Sequence, residues 1–331
     1  MAWLTLGCSG PELEVLTSRT EPEPPRGFIS AQGDQLLLDG VPYRFVSFNA
    51  FTLTGCGNAD ERYDETAIDA FFASLQPRSM VRTYAFRTND IASIDLVVES
   101  AARHGHFLNL VLTDHNGSCG DDGTRKTAAW YEADFRDDYL PWLREVTARY
   151  RTQPAVAMWE LVSSPVEVPV ATLRAFYDEV GGVVHELAPH QLVSSGTHGV
   201  WAYGEAQGYA LIHESPGIDV AGFRDYDQNE GLPPNLEPAL FALEGSRPLI
   251  LAEAGVFASP DGDPSMVLNE RVCVSWQTRR DVLASWIESA SATPLAGINV
   301  WNYLPAADDG CSFTTHPSDP LFELIHESAL E

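Results

Sequence analysis

The feature that most constrains the fold of this chain is an alternation of short apolar runs with helical patterns between residues 44 and 302. Eight runs have the length and composition of β-strands. They lie at residues 44–49, 80–84, 107–113, 156–161, 192–196, 218–226, 248–253 and 297–302. The clearest helical patterns lie at 91–104, 134–150, 170–187 and 274–290. Eight strands alternating with helices predict an α/β fold of the (β/α)8 or TIM barrel type.

The segment before the first barrel strand predicts a β-hairpin. Residues 35–43 read QLLLDGVPY, with a turn at Asp39-Gly40. The rival architecture is a doubly wound open sheet, which would bring a glycine-rich phosphate loop after an early strand, and no such loop is found. We therefore predict one barrel domain over residues 27–331, with the hairpin at its N-terminal end.

The first 26 residues predict a segment outside the barrel. The start, MAWLTLGC, resembles the end of a bacterial lipoprotein signal that leads to Cys8, but it is short and has no basic residues at its start. Residues 11–27 are rich in Pro and Glu, which is typical of a disordered tether. One interpretation is a truncated signal whose lipidated Cys8 attaches an envelope protein to the membrane. An irregular N-terminus without that role is the equal alternative.

The cysteines favour an oxidising compartment. Apart from Cys8, the chain has Cys56, Cys119, Cys273 and Cys311, all in segments that follow strands. We expect Cys273 to pair with Cys311 and Cys56 with Cys119, which is typical of a protein exported from a bacterial cell. Four unpaired loop thiols are the alternative.

The charge of the chain excludes one class of partner. The formal net charge is -27, from 47 acidic and 20 basic residues. Phosphate backbones and anionic membranes attract clustered Lys and Arg, so we expect neither as a partner. An acidic, solvated surface explains the composition, and we expect a monomer.

Chemistry in a (β/α)8 barrel is located at the C-terminal ends of the strands. In this chain those positions hold Asn49, Arg82, Asp114, His115, Glu160 to Pro165, Thr197, His198, Arg224 to Tyr226, Glu253 and Trp301. In chain order, the surrounding motifs are GDQLLLDGVPYRFVSFNAF, VRTYAF, AVAMWELVSSP, HQLVSSGTHGVW, GIDVAGFRDYD, PLILAEAG and GINVWNY. Together these motifs resemble glycoside hydrolase family 5 of clan A, and most closely its β-mannanase and cellulase branch, over roughly residues 27–305.

The resemblance implies a retaining mechanism with two carboxyl groups about 5–5.5 Å apart. Glu253 matches the family's nucleophile in its Glu-x-Gly motif. Arg82 matches the arginine that keeps the nucleophile ionised, and Tyr226 matches the tyrosine that hydrogen-bonds it. Trp301 matches the tryptophan that floors the sugar site. A structural carboxylate paired with Arg82 is the alternative interpretation of Glu253.

The motif after the fourth strand departs from the family pattern. Ser164 stands where the family has its acid/base glutamate, and Ser163 stands where it has the asparagine that binds the sugar 2-hydroxyl. Arg224 replaces a family histidine. A serine hydroxyl cannot act as a general acid near neutral pH, and losing a positioned acid/base costs roughly 10²–10⁴-fold in rate. Rescue by Glu167 or Asp114 is an open alternative.

Two interpretations of Arg224 remain open. It could bind a ligand that carries a carboxylate or another anion. It could instead compensate charge by pairing with Asp225 or Glu160.

Aromatic and polar strand-end residues complete the predicted ligand site. Trp201 follows the fifth strand, and aromatic faces suit stacking on sugar rings. Asn49, His115 and His198 are further candidates for substrate binding. The histidines have no metal-ligand spacing, and we expect neither a metal nor a cofactor.

Three functions follow from these residues. The resemblance implies a protein directed at β-linked mannan or glucan with weak or lost hydrolysis. A glycan-binding pseudoenzyme without chemistry is the first alternative. A barrel recruited to other chemistry, such as epoxide hydrolysis at the Glu253 carboxylate, is the second.

Overall fold

The computed structural model of the chain describes residues 25–56, 63–120, 123–306 and 309–328, together with residue 330. The predicted signal-like segment and Cys8 lie outside the described residues. The described part begins with a three-stranded antiparallel sheet of β1 (Ile29–Gln32), β2 (Gln35–Leu38) and β3 (Val41–Tyr43). Asp39 and Gly40 both have positive φ values, 52° and 77°. Two such residues form the tight turn that matches the twist of the flanking strands, so the predicted hairpin is confirmed.

Eight parallel strands form the barrel. They are β4 (Phe45–Phe48), β5 (Met80–Tyr84), β6 (Phe107–Val111), β7 (Val156–Glu160), β8 (Leu192–Ser194), β9 (Ala221–Asp225), β10 (Leu249–Ala254) and β14 (Leu295–Val300). Between β10 and β14 the chain forms a small separate sheet of β11 (Ala258–Ser259), β12 (Asp263–Leu268) and β13 (Arg271–Ser275). Each of the eight overlaps a strand predicted from the sequence.

The pairing of these strands closes a ring. One set runs β5-β6-β7-β8 and the other runs β4-β14-β10-β9. Parallel bridges join the two sets at both edges, between Asn49 and Arg82 and between Ser194 and Val220. Closure turns the C-terminal ends of all eight strands toward one mouth, and the β1–β3 sheet packs against the opposite end through Ile29, Leu36 and Tyr43.

Helices surround the strands. They are α1 (Glu65–Ser74), α2 (Ile91–His104), α3 (Ala128–Glu132), α4 (Tyr139–Tyr150), α5 (Val170–Leu187), α6 (Glu205–His213), α7 (Leu236–Leu243), α8 (Trp276–Ser291) and α9 (Pro320–Glu327). The predicted helices at 91–104 and 170–187 are confirmed with the same bounds. Nowhere in the described ranges is a helix long and apolar enough to span a bilayer.

Two predicted helix starts are wrong. Helix α4 begins at Tyr139 rather than at residue 134, and residues 134–136 form a separate 3₁₀ turn. Pro141 then lies in the first turn, where its missing N–H costs nothing, whereas an earlier start would place it in the helix interior. Helix α8 begins after Ser275, whose side chain accepts from the Thr278 N–H as an N-cap.

Two disulfides tie loops together at the mouth of the barrel. Cys56 pairs with Cys119, which joins the loops after β4 and β6. Cys273 in β13 pairs with Cys311, which joins the small sheet to the loop after β14. Both predicted pairings are confirmed, and they are typical of an oxidising compartment.

Candidate functional site

Glu253 lies in β10 at the mouth of the barrel and is almost completely buried. Its Oε1 is 3.0 Å from Nη1 of Arg82 in β5. Its Oε2 accepts a hydrogen bond of 2.5 Å from the Tyr226 hydroxyl, which follows β9. Burial raises the pKa of Tyr226 well above its usual range, and the Glu253 charge raises it further. The tyrosine therefore remains a donor, and the three residues lie together as the sequence predicts.

Arg82 is held by a second carboxylate beneath Glu253. Its Nε and Nη2 donate to the two oxygens of Glu160 at 2.7 and 2.5 Å, and Nη1 donates to Asn49 Oδ1 at 2.7 Å. Burial opposes the charge of Arg82, but Glu160 and Glu253 outweigh it and raise its pKa above the ordinary value. Because a buried charge is tolerated only when paired, this cluster fixes the guanidinium.

Arg224 occupies the opposite side of Glu253. Its Nη1 lies 2.9 Å from Glu253 Oε1 and also donates to the Ser164 hydroxyl. Its Nη2 donates to the Ser163 hydroxyl at 3.0 Å. Glu160 is farther away, at 3.6 Å. The carboxylate nearest to Arg224 is therefore Glu253, and Glu160, one of the two predicted charge partners, also lies within ion-pair distance.

Asp225 does not pair with Arg224. Its carboxylate accepts the backbone N–H groups of Asp227 and Asn235 and the side-chain amide of Asn235. Burial raises the pKa of Asp225, and these hydrogen bonds oppose that rise. Its carboxylate therefore organises the loop after β9.

The two carboxyls considered as substitutes for the acid/base differ in position. Glu167 is exposed and pairs with Arg125 at 3.0 Å, with an exposed fraction of 76% for its side chain. Asp114 follows β6 beside Ser163, and its Oδ2 accepts the backbone N–H groups of Asn116 and Ser118. Of the two, Asp114 is the one that lines a cleft together with Glu253.

That cleft has a volume of about 430 Å³. It is lined by Phe51, Cys56, Tyr84, Asp114, Asn116, Ser118, Cys119, Ser163, Ser164, Arg224, Glu253 and Trp301. The Trp301 ring stacks on Phe51, with the ring centroids 5.0 Å apart and the planes 5° from parallel. An aromatic wall faces polar and charged groups, an arrangement typical of sites that bind small polar ligands.

Four predicted substrate-binding residues lie outside the lining of this cleft. Asn49 is fully buried behind Arg82 and donates to the Ala252 carbonyl. Trp201 is 58% exposed on the loop after β8, and its ring centroid lies 5.5 Å from that of His198. His115 is buried, and its Nδ1 lies 2.8 Å from the Tyr131 hydroxyl.

Both predicted histidines are neutral at physiological pH. Burial lowers the pKa of His115 to about 4, assisted by the charge of Arg125. Burial also lowers the pKa of His198 to about 3, assisted by Arg224. Among the described residues, no group of three or more His, Cys, Asp or Glu side chains could hold a metal ion.

Tyr84 lines the cleft and was not predicted as a site residue. It ends β5 two residues after Arg82, and side chains two apart on a strand face the same side. The same spacing is present in the VRTYAF motif, so the two-residue alternation of a strand could have identified Tyr84 as a site residue.

The relatives found by sequence comparison are named as mannan endo-1,4-beta-mannosidases. "Probable mannan endo-1,4-beta-mannosidase C" of Aspergillus terreus is 24% identical across 93% of this chain and 92% of that protein. Mannan endo-1,4-beta-mannosidase 1 of Oryza sativa subsp. japonica is 22% identical across 60% of this chain and 59% of that protein. No protein-family model matches the chain.

Solved structures share the fold. The endo-1,4-beta-mannanase from Rhizomucor miehei superposes with a TM-score of 0.71 at 16% identity, over 90% of this chain and 97% of that one. A mutant of the family 5 mannosidase from the same organism, in complex with mannosyl-fructose, gives 0.66 at 14% identity, over 91% and 96%. Cellulase Cel5C_n gives 0.62 at 12% identity, over 92% and 93%. These similarities support the resemblance that the strand-end motifs carry: the chain is similar in sequence to proteins named as mannan endo-1,4-beta-mannosidases and shares its (β/α)8 barrel fold with solved mannanase, mannosidase and cellulase structures.

Proposed function

We propose that this protein binds β-linked glycans of the mannan or glucan type in the Glu253 cleft and that its hydrolysis of ordinary glycosides is weak or lost. The relatives named as mannan endo-1,4-beta-mannosidases support the choice of ligand, as does the aromatic wall of Phe51 and Trp301. The observation that carries the loss of hydrolysis is the position of Arg224, which bridges Glu253 and Ser164.

The chemistry follows from those contacts. Glycoside cleavage needs a proton on the leaving oxygen, and neither a serine hydroxyl nor a guanidinium gives one up near neutral pH. Attack on the anomeric carbon needs a nucleophilic carboxylate oxygen. The contacts of Glu253 with Arg82 and Tyr226 are those that the resemblance implies for an active nucleophile, but Oε1 also lies 2.9 Å from Arg224 Nη1, a second cation that makes the oxygen less nucleophilic. Protonation of the leaving group and attack by Glu253 are therefore both impaired.

Asp114 supports a second candidate function, which is slow hydrolysis by a modified mechanism. Its carboxylate lines the same cleft as Glu253. In that case Asp114 would activate water on the face of the sugar opposite the nucleophile. Substrates with good leaving groups would still react, since they need no protonation.

One set of measurements distinguishes these functions. Calorimetric titration with mannopentaose and cellopentaose tests binding. Release of dinitrophenol from dinitrophenyl β-mannoside and β-cellobioside, with intact-mass detection of a glycosyl adduct, tests attack by Glu253. Glu253→Gln is the control that cannot form the adduct, and Asp114→Asn is the control for water activation.

We expect binding of at least one pentaose and no release of reducing sugar from mannan or glucan. Turnover of either polysaccharide at the 1–10³ per second typical of enzymes would contradict the proposal. Dinitrophenol release that Asp114→Asn abolishes would favour the second candidate instead.

Trp301 and Trp201 provide a further test of the binding site. Trp301→Ala removes a wall of the cleft, and we expect it to weaken pentaose binding more than tenfold. Trp201→Ala lies outside the lining, so we expect a loss of about threefold or less. A larger effect at Trp201 would place the glycan on the loop after β8 instead.

We also propose that the protein is exported and monomeric, and that Cys8 carries a lipid. The two disulfides support an extracytoplasmic location. Labelling of expressing cells with an alkyne-tagged fatty acid, with Cys8→Ser as control, tests the lipid, and light scattering tests the monomer. Equal labelling of the wild-type protein and of Cys8→Ser would contradict lipid attachment at Cys8.

A further inference from the structure

Tyr84 places a rigid phenol in the wall of the cleft. Its ring stacks on Phe86, with centroids 4.2 Å apart, and lies against Phe51 at 5.3 Å. The residue is only 4% exposed, yet it lines the cleft together with Glu253. The neighbouring rings leave the side chain little freedom, so its hydroxyl has a fixed position.

The hydroxyl of Tyr84 makes no hydrogen bond to any of the residues that the structure describes. Other buried tyrosines of the barrel donate to a backbone carbonyl. These are Tyr139 to Leu161 at 2.5 Å, Tyr203 to Pro165 at 2.8 Å and Tyr209 to Gly222 at 2.6 Å. Buried phenols normally have a partner. Solvent or a ligand in the cleft must therefore supply the acceptor for Tyr84.

Charged groups of the site surround this phenol. Burial raises its pKa above the usual range. Glu253 and Asp114 raise it further, while Arg82 and Arg224 oppose the rise. The hydroxyl is therefore protonated at neutral pH. It is a neutral donor within electrostatic reach of the carboxylates on both sides of the cleft.

We propose that Tyr84 is a ligand-binding residue whose hydroxyl donates to an oxygen of the sugar unit lying beside Glu253. This inference rests on the proposed function, because it assigns a contact within the same glycan site. Ser163 and Ser164 accept from Arg224, and the accepting oxygens of Glu253 are already engaged. Tyr84 is a donor in the cleft lining whose proton no described residue accepts.

Tyr84→Phe tests the contact because it removes one oxygen and keeps the ring. We expect it to weaken binding of the pentaose that wild type binds, mannopentaose or cellopentaose, by about 3- to 10-fold, the effect of one hydrogen bond. Tyr150→Phe is the matched control, since its hydroxyl donates to Asp95 at 2.7 Å outside the cleft. The control should bind as wild type does, and circular dichroism should show both variants folded.

A series of monodeoxy oligosaccharides identifies the accepting oxygen. One deoxy position should weaken binding to wild type and have no further effect on Tyr84→Phe, because the two changes remove the same hydrogen bond. Unchanged affinity of Tyr84→Phe would overturn the inference and leave the proposed function intact. Failure of wild type to bind either pentaose would overturn both.

Discussion

The two sides of the cleft differ in how deeply they are built into the barrel. On the Glu253 side, Arg82 joins strands β5, β7 and β10 through Glu160 and Glu253, all with almost no exposure. On the other side, Ser163 and Ser164 are small, and Arg224 is the group that contacts both. The first side is part of the packing of the barrel interior. The second can change without leaving an unpaired buried charge, so chemistry is more easily lost there.

Restoring the family residues at positions 163, 164 and 224 should change activity more than any other substitution that tests the difference between the two sides. We expect the triple variant Ser163→Asn, Ser164→Glu, Arg224→His to gain roughly 10²–10⁴-fold in kcat/KM on an aryl β-glycoside with a poor leaving group. The gain arises because the introduced carboxyl can protonate the leaving oxygen and the removal of Arg224 frees Glu253 Oε1. The measurement is release of the aglycone.

Single changes show whether Arg224 blocks this restoration. Ser164→Glu alone should gain much less, because Arg224 would pair with the introduced carboxyl and keep it ionised. Adding Glu253→Gln to the triple variant should remove the gain. If Ser164→Glu alone recovers the full rate, Arg224 does not impair the site.

The second expected effect is a difference in stability between variants of Arg82 and Arg224. We expect Arg82→Met to lower the free energy of unfolding by about 3–5 kcal/mol, because Glu160 loses both of its hydrogen bonds from Arg82 and is left buried with only Arg224, 3.6 Å away, as a cation. Arg224→Met is the matched control, since Glu253 retains Arg82, and we expect a loss of about 1–2 kcal/mol. Urea unfolding at neutral pH measures both.

Equal losses of unfolding free energy for Arg82→Met and Arg224→Met would contradict the conclusion that the Glu253 side is built more deeply into the barrel than the side of Ser163 and Ser164. A larger loss for Arg224→Met would reverse it. Either result would mean that the side of Ser163, Ser164 and Arg224 stabilises the barrel interior as much as the pairing of Arg82 with Glu160 does.

The sequence predicts the barrel well because each strand and the four helices α2, α4, α5 and α8 are specified locally by their apolar patterns. The resemblance to family 5 implies that Glu253, Arg82 and Tyr226 meet, and the convergence of strand ends in a closed ring is consistent with that contact. The sequence does not predict which carboxylate lies nearest to Arg224, because those distances depend on side-chain packing across neighbouring strands. The alternation of side chains along β9 could have excluded Asp225, since consecutive residues of a strand face opposite sides. The start of α4 and the β11–β13 sheet were missed because a proline position and a long loop insertion are weak periodic signals.

Acid should weaken the fold through His115 and His198, whose pKa values are lowered by burial. In the unfolded chain each imidazole takes up a proton near pH 6.5, whereas folded His115 and His198 resist protonation until about pH 4 and 3. Between these limits the unfolded state binds more protons. The free energy of unfolding therefore falls as pH decreases from about 6.5, by up to about 1.4 kcal/mol per pH unit for each histidine. Above about pH 7.5 the two contribute no pH dependence.

Urea unfolding of wild type and His198→Gln from pH 7.5 to 4.5 measures this contribution. The variant should lose stability less steeply on acidification, because one resistant imidazole is gone. His190→Gln, at an exposed position, serves as the control and should follow the wild-type curve. Parallel curves for wild type and His198→Gln would show that the interior beside Arg224 admits a proton. The positive charge of Arg224 would then be compensated more completely than its contacts with Glu253 and Glu160 indicate, and its side of the cleft would be less positive than those contacts suggest.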